Sequence, residues 1–296
     1  MSADERIGSG ARQQLAADLA VHGGRIALEY FHRGRRDDER DDTAGADIRQ
    51  RLAARIAASF PDDAVVGAEP GQPGGRSHAL HSWVVASGDA ARSFGLGLPG
   101  FAVSIGVLRS GTPFVGAVYD PVARWLFTAC AGRGAWLNER PLHALPTPLT
   151  RASLVAIGSP VEPGLPPFTE EWVRRYRLRN FGSTALHLCY VAMGALDFVH
   201  DHRAQLTDIA GAAAVVLEAG GVLTGVDRRP GVPRRPRAPR RSPHGHPGRQ
   251  PRQPRRGARR RALPPARLTR DRRLRRRPGF TPASSSRNGG RGHSGS

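Results

Sequence analysis

A central stretch of the chain consists of short apolar runs separated by turn residues, and this spacing constrains the fold more than any other feature. Two of the runs, FAVSIGVL at 101–108 and FVGAVYD at 114–120, flank the turn at 109–113, which contains Gly and Pro. Two β-rich runs around such a turn predict a β-hairpin. WLFTAC at 125–130 and GAWLN at 134–138 continue the pattern. The stretch therefore predicts an antiparallel meander.

Apolar residues at helical spacing precede the meander. Residues 10–31 predict one helix, and Ile48, Leu52 and Ile56, spaced four apart on one helical face, predict a second. The charged run at 33–42 between the two helices predicts a solvated loop.

Shorter elements are predicted on both sides of the meander. They are strands at 64–67, 83–86, 152–158 and 222–224, and Ala-rich helices at 183–195 and 207–219. A Pro-rich connection occupies 145–168, and Gly220 with Gly221 marks the end of the last helix. Helices mixed with a largely antiparallel sheet favour a layered α/β sandwich.

The positive charge is concentrated at the C-terminal end. The formal net charge is +20, all 45 basic residues are arginine, and 23 of them follow Asp227, where Asp271 is the only acid. Residues 1–227 are therefore close to neutral. Residues 228–296 have no apolar periodicity and cannot supply a core, which predicts disorder. The sequence thus divides into a folded domain at 1–227 and an Arg/Pro-rich tail at 228–296.

The composition favours a cytoplasmic protein. The first 25 residues contain Asp4, Glu5 and Asp18 and no continuous apolar run, so no signal peptide is expected. No stretch approaches the ~18 apolar residues of a membrane span, so no membrane partner is expected. Cys130 and Cys189 cannot form a disulfide framework, and they are interpreted as core thiols in a reducing compartment.

Four segments between residues 41 and 226 carry a resemblance to a known family. They are DTAGADIRQRLAARIAASFPDDAVVGAEPG, WVVASGDAARSFGLGLPGFAVSIGVLRSG, GAVYDPVARWLFTACAGRGAWLNERPL and GSTALHLCYVAMGALDFVHDHRAQLTDIAGAAAVVLEAGGVLTG. In this order they resemble the inositol monophosphatase family of metal-dependent, lithium-sensitive phosphatases. The resemblance implies a layered αβαβα sandwich and hydrolysis of small polyol or sugar phosphate monoesters with Mg²⁺. It also makes a homodimer a possible assembly, because dimers are common in the family.

Several acidic and substrate-contacting positions of the family are retained. The matching residues are Asp47 as the catalytic residue that helps to activate water, Asp89 and Asp208 as metal ligands, and Gly182, Ser183, Thr184 and Asp201 as substrate contacts. Glu69, the second glutamate of the family's G-E-E pattern, is a candidate replacement ligand for the metal. Mg²⁺ is a hard cation that binds carboxylate oxygens. The retained acids therefore imply one Mg²⁺ site at most.

Other family positions have lost their functional groups. Ala68 and Ala86 replace metal-binding acids, and Ala91 replaces the threonine whose hydroxyl activates water. Alanine can neither ligate Mg²⁺ nor polarise water, so we expect weakened or lost phosphatase activity. The identity of the substrate stays open.

Two questions stay open at the level of the sequence: the function of the chain and the origin of the tail. The chain is interpreted as a weakened phosphatase or as a non-catalytic module that binds a phosphorylated metabolite or a partner. A third interpretation is a nucleic-acid-binding protein that acts through its arginines. The tail itself is either genuine or an out-of-frame translation of GC-rich coding sequence, and in both cases the family's C-terminal strand and helix are expected to be missing.

His200 and His202 are interpreted as a histidine pair on a surface loop.

Overall fold

The structure, a computed structural model, describes residues 3–32, 38–66, 79–89, 91–144, 148–158 and 168–225. The helices are α1 (Ala3–His32), α2 (Asp38–Ser59), α3 (Ala91–Gly95), α4 (Phe168–Arg175), α5 (Thr184–Ala192) and α6 (Leu206–Glu218). The strands are β1 (Ala64–Val66), β2 (His81–Asp89), β3 (Ala102–Arg109), β4 (Thr112–Asp120), β5 (Trp125–Cys130), β6 (Ala135–Leu137), β7 (Arg140–Leu142), β8 (Leu154–Ile157), β9 (Arg177–Arg179) and β10 (Phe198–His200). The predicted tail at 228–296 lies outside the described residues.

The predicted meander is confirmed as the centre of a seven-stranded sheet in the order β1 to β7. All neighbouring strands are antiparallel except β1 and β2, which are parallel. Ser110 and Gly111 join β3 to β4, and their φ angles are 48° and 80°. Positive φ at both residues matches the twist of a two-residue hairpin, which explains why a glycine stands at this turn.

The large sheet is covered on both faces. Alternate side chains of β3, such as Val103 and Ile105, are buried against α1 and α2. On the opposite face, Val118 and Phe127 are buried against α5 and α6. This alternation follows from the two-residue period of a strand.

A second, three-stranded sheet completes the fold. Its strands are parallel in the order β10, β8, β9. α5 packs on this sheet, and Trp172 of α4 contacts Phe198 and His200 of β10. The layers therefore run helix, sheet, helix, sheet, helix, and the predicted αβαβα sandwich is confirmed.

Three glycines bring α6 directly onto the large sheet. A Cβ at Gly106 of β3 would lie 2.6 Å from the Ala210 carbonyl carbon, and one at Gly116 of β4 would collide with the Gly211 carbonyl oxygen. A Cβ at Gly211 would lie 2.5 Å from Ser104 Oγ. The helix and the sheet are therefore in close contact, which fixes the position of α6 relative to β3 and β4.

Two predictions of local structure were wrong. The predicted loop at 33–42 is helical from Asp38 onwards, because a helix can extend beyond the apolar residues whose spacing predicts it. The predicted strand at 222–224 reduces to a single bridging residue, Thr224. Val222 is 68% exposed, so the apolar residues that suggested a strand are not buried as strand residues would be.

Candidate active site

Asp208 lies in the first turn of α6. Its Oδ2 accepts a hydrogen bond of 2.7 Å from the Gln205 amide, and its Oδ1 accepts one of 3.3 Å from the Thr207 hydroxyl. A carboxylate three residues after the helix cap satisfies a free amide and complements the dipole. Burial raises the pKa of Asp208, the two hydrogen bonds oppose that rise, and the nearby Asp201 adds to it.

The helix that carries Asp208 packs on β2. Gly211, three residues later and hence on the same face of α6, lies against Ser104. Ser104 pairs with Ala86 of β2. The register then shifts, and Asp89 pairs with Ala102 at the end of the strand. Ala86 is 8% exposed, so a buried methyl group occupies the position at which the sequence resemblance predicts a metal-binding acid.

Asp47 occupies one side of α2 and already has two partners. Arg51 Nε donates to its Oδ1 at 2.7 Å, and the Tyr30 hydroxyl donates to its Oδ2 at 3.5 Å. The first of these hydrogen bonds is the main reason why the pKa of Arg51 is raised. Nearby, Ser87 Oγ donates to the Gly45 carbonyl at 2.8 Å, which ties the irregular end of β2 to α2 two residues before Asp47.

The predicted substrate contacts meet at the start of α5. Ser183 is fully buried and caps the helix, with Oγ accepting from the Leu186 amide at 3.0 Å. The Thr184 hydroxyl donates to Asp201 Oδ2 at 2.6 Å, and Asp201 Oδ1 accepts from the Arg203 amide at 2.9 Å. Gly182 precedes the cap with φ of 87°, a conformation that glycine adopts without strain.

His187 belongs to the same site, although the sequence did not indicate it. Its Nε2 accepts a hydrogen bond of 2.8 Å from the Phe181 amide, and its side chain is buried. Burial lowers the pKa of His187 to about 4, and the charge of Asp201 only partly offsets this. A neutral imidazole therefore holds the loop before α5. The spacing of three residues from Thr184 places His187 on the same helical face. In the sequence, its Leu and Ala neighbours indicate only a core position.

The interpretation of His200 and His202 as a surface loop pair was only partly right, because His202 lies in the bend after β10 but both residues are half-buried. His200 ends β10, and its ring stacks on that of His202 with centroids 6.3 Å apart and planes 12° apart. His200 Nε2 and both ring nitrogens of His202 are buried without a hydrogen-bond partner. The His200 ring packs beneath Phe168 and Trp172 of α4.

The described residues bring together only part of the predicted site. Thr184 contacts Asp201, and the charge of Asp201 acts on Asp208. Glu69 and the side chain of Asp89 lie outside the described part of the chain. Among the side chains that the structure describes, no three His, Cys, Asp or Glu residues are grouped to hold a metal ion. With a methyl group at Ala86, these side chains do not fit a two-metal centre.

The sequence model of the inositol monophosphatase family matches residues 12–250. Together with the layered fold and the retained acids, this match shows that the chain belongs to the inositol monophosphatase family.

Individual relatives agree with this assignment. The chain is 35% identical over 178 residues to Nus factor SuhB of Haemophilus influenzae, covering 58% of this chain and 66% of that protein, slightly less than two thirds of its length. It is 32% identical over 229 residues to inositol monophosphatase 1 of Solanum lycopersicum, covering 71% of this chain and 82% of the relative.

Solved structures show the same fold. Mycobacterium tuberculosis SuhB superposes with a TM-score of 0.61 at 26% identity, covering 71% of this chain and 85% of the other. The structure of inositol monophosphate bound SaIMPase-II superposes with a TM-score of 0.59 at 26% identity, covering 71% of this chain and 80% of the other. In the described part of this chain, no helix has the length and apolar character needed to cross a membrane.

Proposed function

We propose that this protein binds a small phosphorylated polyol or sugar between the starts of α5 and α6 and has lost most of the family's hydrolytic power. The observation that carries the proposal is the buried Ala86, which pairs with Ser104, the residue against which Gly211 of α6 packs. At this position a methyl group cannot supply the carboxylate oxygens that a second metal ion would need.

Binding of the polyol portion is supported by the contacts of Asp201. Its carboxylate is held by the Thr184 hydroxyl and the Arg203 amide. A carboxylate has about four acceptor sites, so two are left for hydroxyl groups of a ligand. The inositol monophosphate in the SaIMPase-II structure is a ligand of this chemical class.

One Mg²⁺ ion is part of the proposal. Asp89 and Asp208 would hold it, with Glu69 as a further ligand. A bound Mg²⁺ neutralises charge on phosphoryl oxygens. Asp47, which the family uses in water activation, is paired with Arg51 in this protein. Because Ala91 also lacks a hydroxyl, we infer that activation of the attacking water is the step most impaired.

The test is release of phosphate from inositol-1-phosphate by the full chain with and without Mg²⁺, alongside calorimetric binding of the same ester. We expect the chain to bind the ester. Its turnover should be at least about 100-fold below that of a family member with a carboxylate at position 86 and a hydroxyl at position 91, since single catalytic groups contribute about 10²–10⁴-fold. Residual turnover should require Mg²⁺ and disappear in Asp208→Asn. Turnover equal to that of an intact family member would refute the loss of hydrolytic power, and absence of ester binding would refute the binding site.

A second candidate function is nucleic-acid binding through residues 228–296. It is favoured by the concentration of 23 arginines after Asp227, because arginine neutralises phosphates and releases counterions. The test is binding of duplex DNA by the full chain and by a chain ending at Asp227, across a salt series. A genuine arm predicts salt-sensitive affinity that truncation abolishes. Equal affinities of the two chains would exclude it.

A further inference from the structure

Gly158 lies beside Asp201 just beyond the C-terminal ends of β8 and β10. β8 and β10 run parallel with Ile157 opposite His200. Immediately after this pair, the Gly158 amide donates to the His200 carbonyl at 2.9 Å. Gly158 and Asp201 are therefore the next neighbours across the two strands, and side chains at neighbouring positions of parallel strands share one face.

The carboxylate of Asp201 fills the space where a side chain at position 158 would begin. A Cβ there would overlap Oδ2 and Cγ of Asp201 and would lie 2.7 Å from Oδ1. Real Cβ atoms essentially never come that close. The φ angle of Gly158 is not in the left-handed region. The position therefore needs glycine for space and not for backbone conformation.

This space decides the direction of the carboxylate. Asp201 leans over Gly158 towards the start of α5, where Oδ2 receives the 2.6 Å hydrogen bond from Thr184. An alanine at 158 would force the carboxylate to rotate away, and the strong hydrogen bond to the hydroxyl would be lost.

We propose that Gly158 is a positioning residue for polyol recognition. By lacking a side chain, it sets the Asp201 carboxylate on Thr184, so that the remaining acceptor sites of Asp201 face the hydroxyl groups of the phosphorylated ligand. The inference rests on the proposed function for the ligand, and on the Gly158–Asp201 contact alone for the positioning.

The positioning is tested without any ligand by a double-mutant cycle. Gly158→Ala should lower the melting temperature of the full chain by about 5 °C, because overpacking is destabilising. In an Asp201→Ala background the same substitution should change it by less than about 1 °C, because the colliding atoms are gone. Equal shifts in the two backgrounds would overturn the steric argument. Gly10→Ala on α1 is the matched control, since its Cβ meets only Arg133 Nη1 at 3.4 Å.

The recognition is tested by comparing inositol-1-phosphate with inorganic phosphate in calorimetry. Gly158→Ala should weaken binding of inositol-1-phosphate about tenfold and leave inorganic phosphate within about twofold, as expected for loss of a hydrogen bond to a charged group. Thr184→Val removes the hydroxyl without changing position 158 and should give the same selective loss of inositol-1-phosphate binding. This variant tests the role of the hydrogen bond if Gly158→Ala fails to fold.

The outcomes separate the two proposals. If the unmodified chain binds inositol-1-phosphate and both variants bind it equally well, the inference about Gly158 fails and the proposed function stands. If both variants lose the two ligands to the same extent, Gly158 has no selective role in recognising the polyol. If the unmodified chain binds neither ligand, the proposed function and the recognition role fall together, and the melting-temperature cycle still decides whether Gly158 positions Asp201.

Discussion

Arg12 donates two hydrogen bonds, each 2.8 Å long, from Nε and Nη2 to the two carboxylate oxygens of Asp63. The Trp83 indole donates a third to Asp63 Oδ2 at 2.8 Å. Asp63 is buried, so this planar pair joins α1 to the residues before β1 and to β2 within the core. Bidentate pairs of this kind are the strong form of the arginine–carboxylate interaction.

Asp63→Ala is therefore expected to lower the free energy of unfolding by about 3 kcal/mol, since it removes the acceptor of the buried Trp83 indole and the carboxylate partner of the half-buried Arg12 guanidinium. Urea denaturation followed by circular dichroism measures the change. Glu170→Ala is the control, because Glu170 and Arg174 form an exposed pair on α4 and exposed pairs contribute little. Similar losses in the two variants would contradict the role of the Arg12–Asp63 pair.

Gly211→Ala is expected to destabilise the protein although alanine favours helices. The new Cβ would lie 2.5 Å from Ser104 Oγ and 2.8 Å from the Ile105 carbonyl oxygen, and the carbonyl belongs to a central strand that cannot move freely. Overpacking outweighs the gain in helix propensity, for a net loss of about 1–2 kcal/mol. Urea denaturation checks this against Gly10→Ala, which should be neutral or stabilising. An unchanged or raised stability for Gly211→Ala would show that α6 can move away from the sheet.

The stability of the protein should fall in mild acid because of His187. Burial lowers its pKa to about 4 from an ordinary 6.5, so the unfolded chain takes up a proton before the folded one does. The contribution is complete above pH 6.5 and declines as the pH falls towards 4, by about 3 kcal/mol at the end of this range. His187→Gln keeps an acceptor for the Phe181 amide but cannot titrate in this range.

Urea denaturation at several pH values between 7 and 4 measures this effect. The slope of unfolding free energy against pH should be smaller in His187→Gln than in the unmodified chain. Parallel slopes for the two proteins would mean that His187 titrates normally in the folded state.

Ala86→Asp should create a response to Mg²⁺. The position is 8% exposed, so a carboxylate there is costly without a cation, and we expect a loss of about 1–3 kcal/mol in metal-free buffer. Added Mg²⁺ should then raise the melting temperature of the variant more than that of the unmodified chain, because binding to the folded state stabilises it. Ala86→Asn matches the size without the charge. An equal Mg²⁺ response in all three proteins would exclude position 86 from any metal site.

The sequence predicted the elements in which a periodic hydrophobic pattern runs over enough residues to be recognised. The meander and the helices α1, α2, α5 and α6 have such periods. The three-residue strands β9 and β10 and the eight-residue helix α4 do not, and they form because tertiary contacts such as Trp172 against His200 stabilise them. Local signals also failed at 38–42, where charge alone suggested a loop.

In the candidate site, too, the sequence predicted some features and missed others. The acids at 47, 89, 201 and 208 were found by resemblance to a family, but their partners were not. The pairing of Asp47 with Arg51 and the hydrogen bond from Phe181 to His187 depend on side-chain directions that periodicity does not give. The place of Gly158 beside Asp201 depends on the pairing of two strands far apart in the chain. These relationships become visible only when the chain is folded.

The contact of α6 with the sheet through Gly106, Gly116 and Gly211 has a consequence for how such a protein changes over generations. These contacts set the separation between α6 and strands β3 and β4, so that separation does not depend on the residue at position 86. A carboxylate can disappear from that position, and selection can later return it, while the surrounding scaffold keeps its dimensions. The architecture of the site is thus inherited separately from its chemistry.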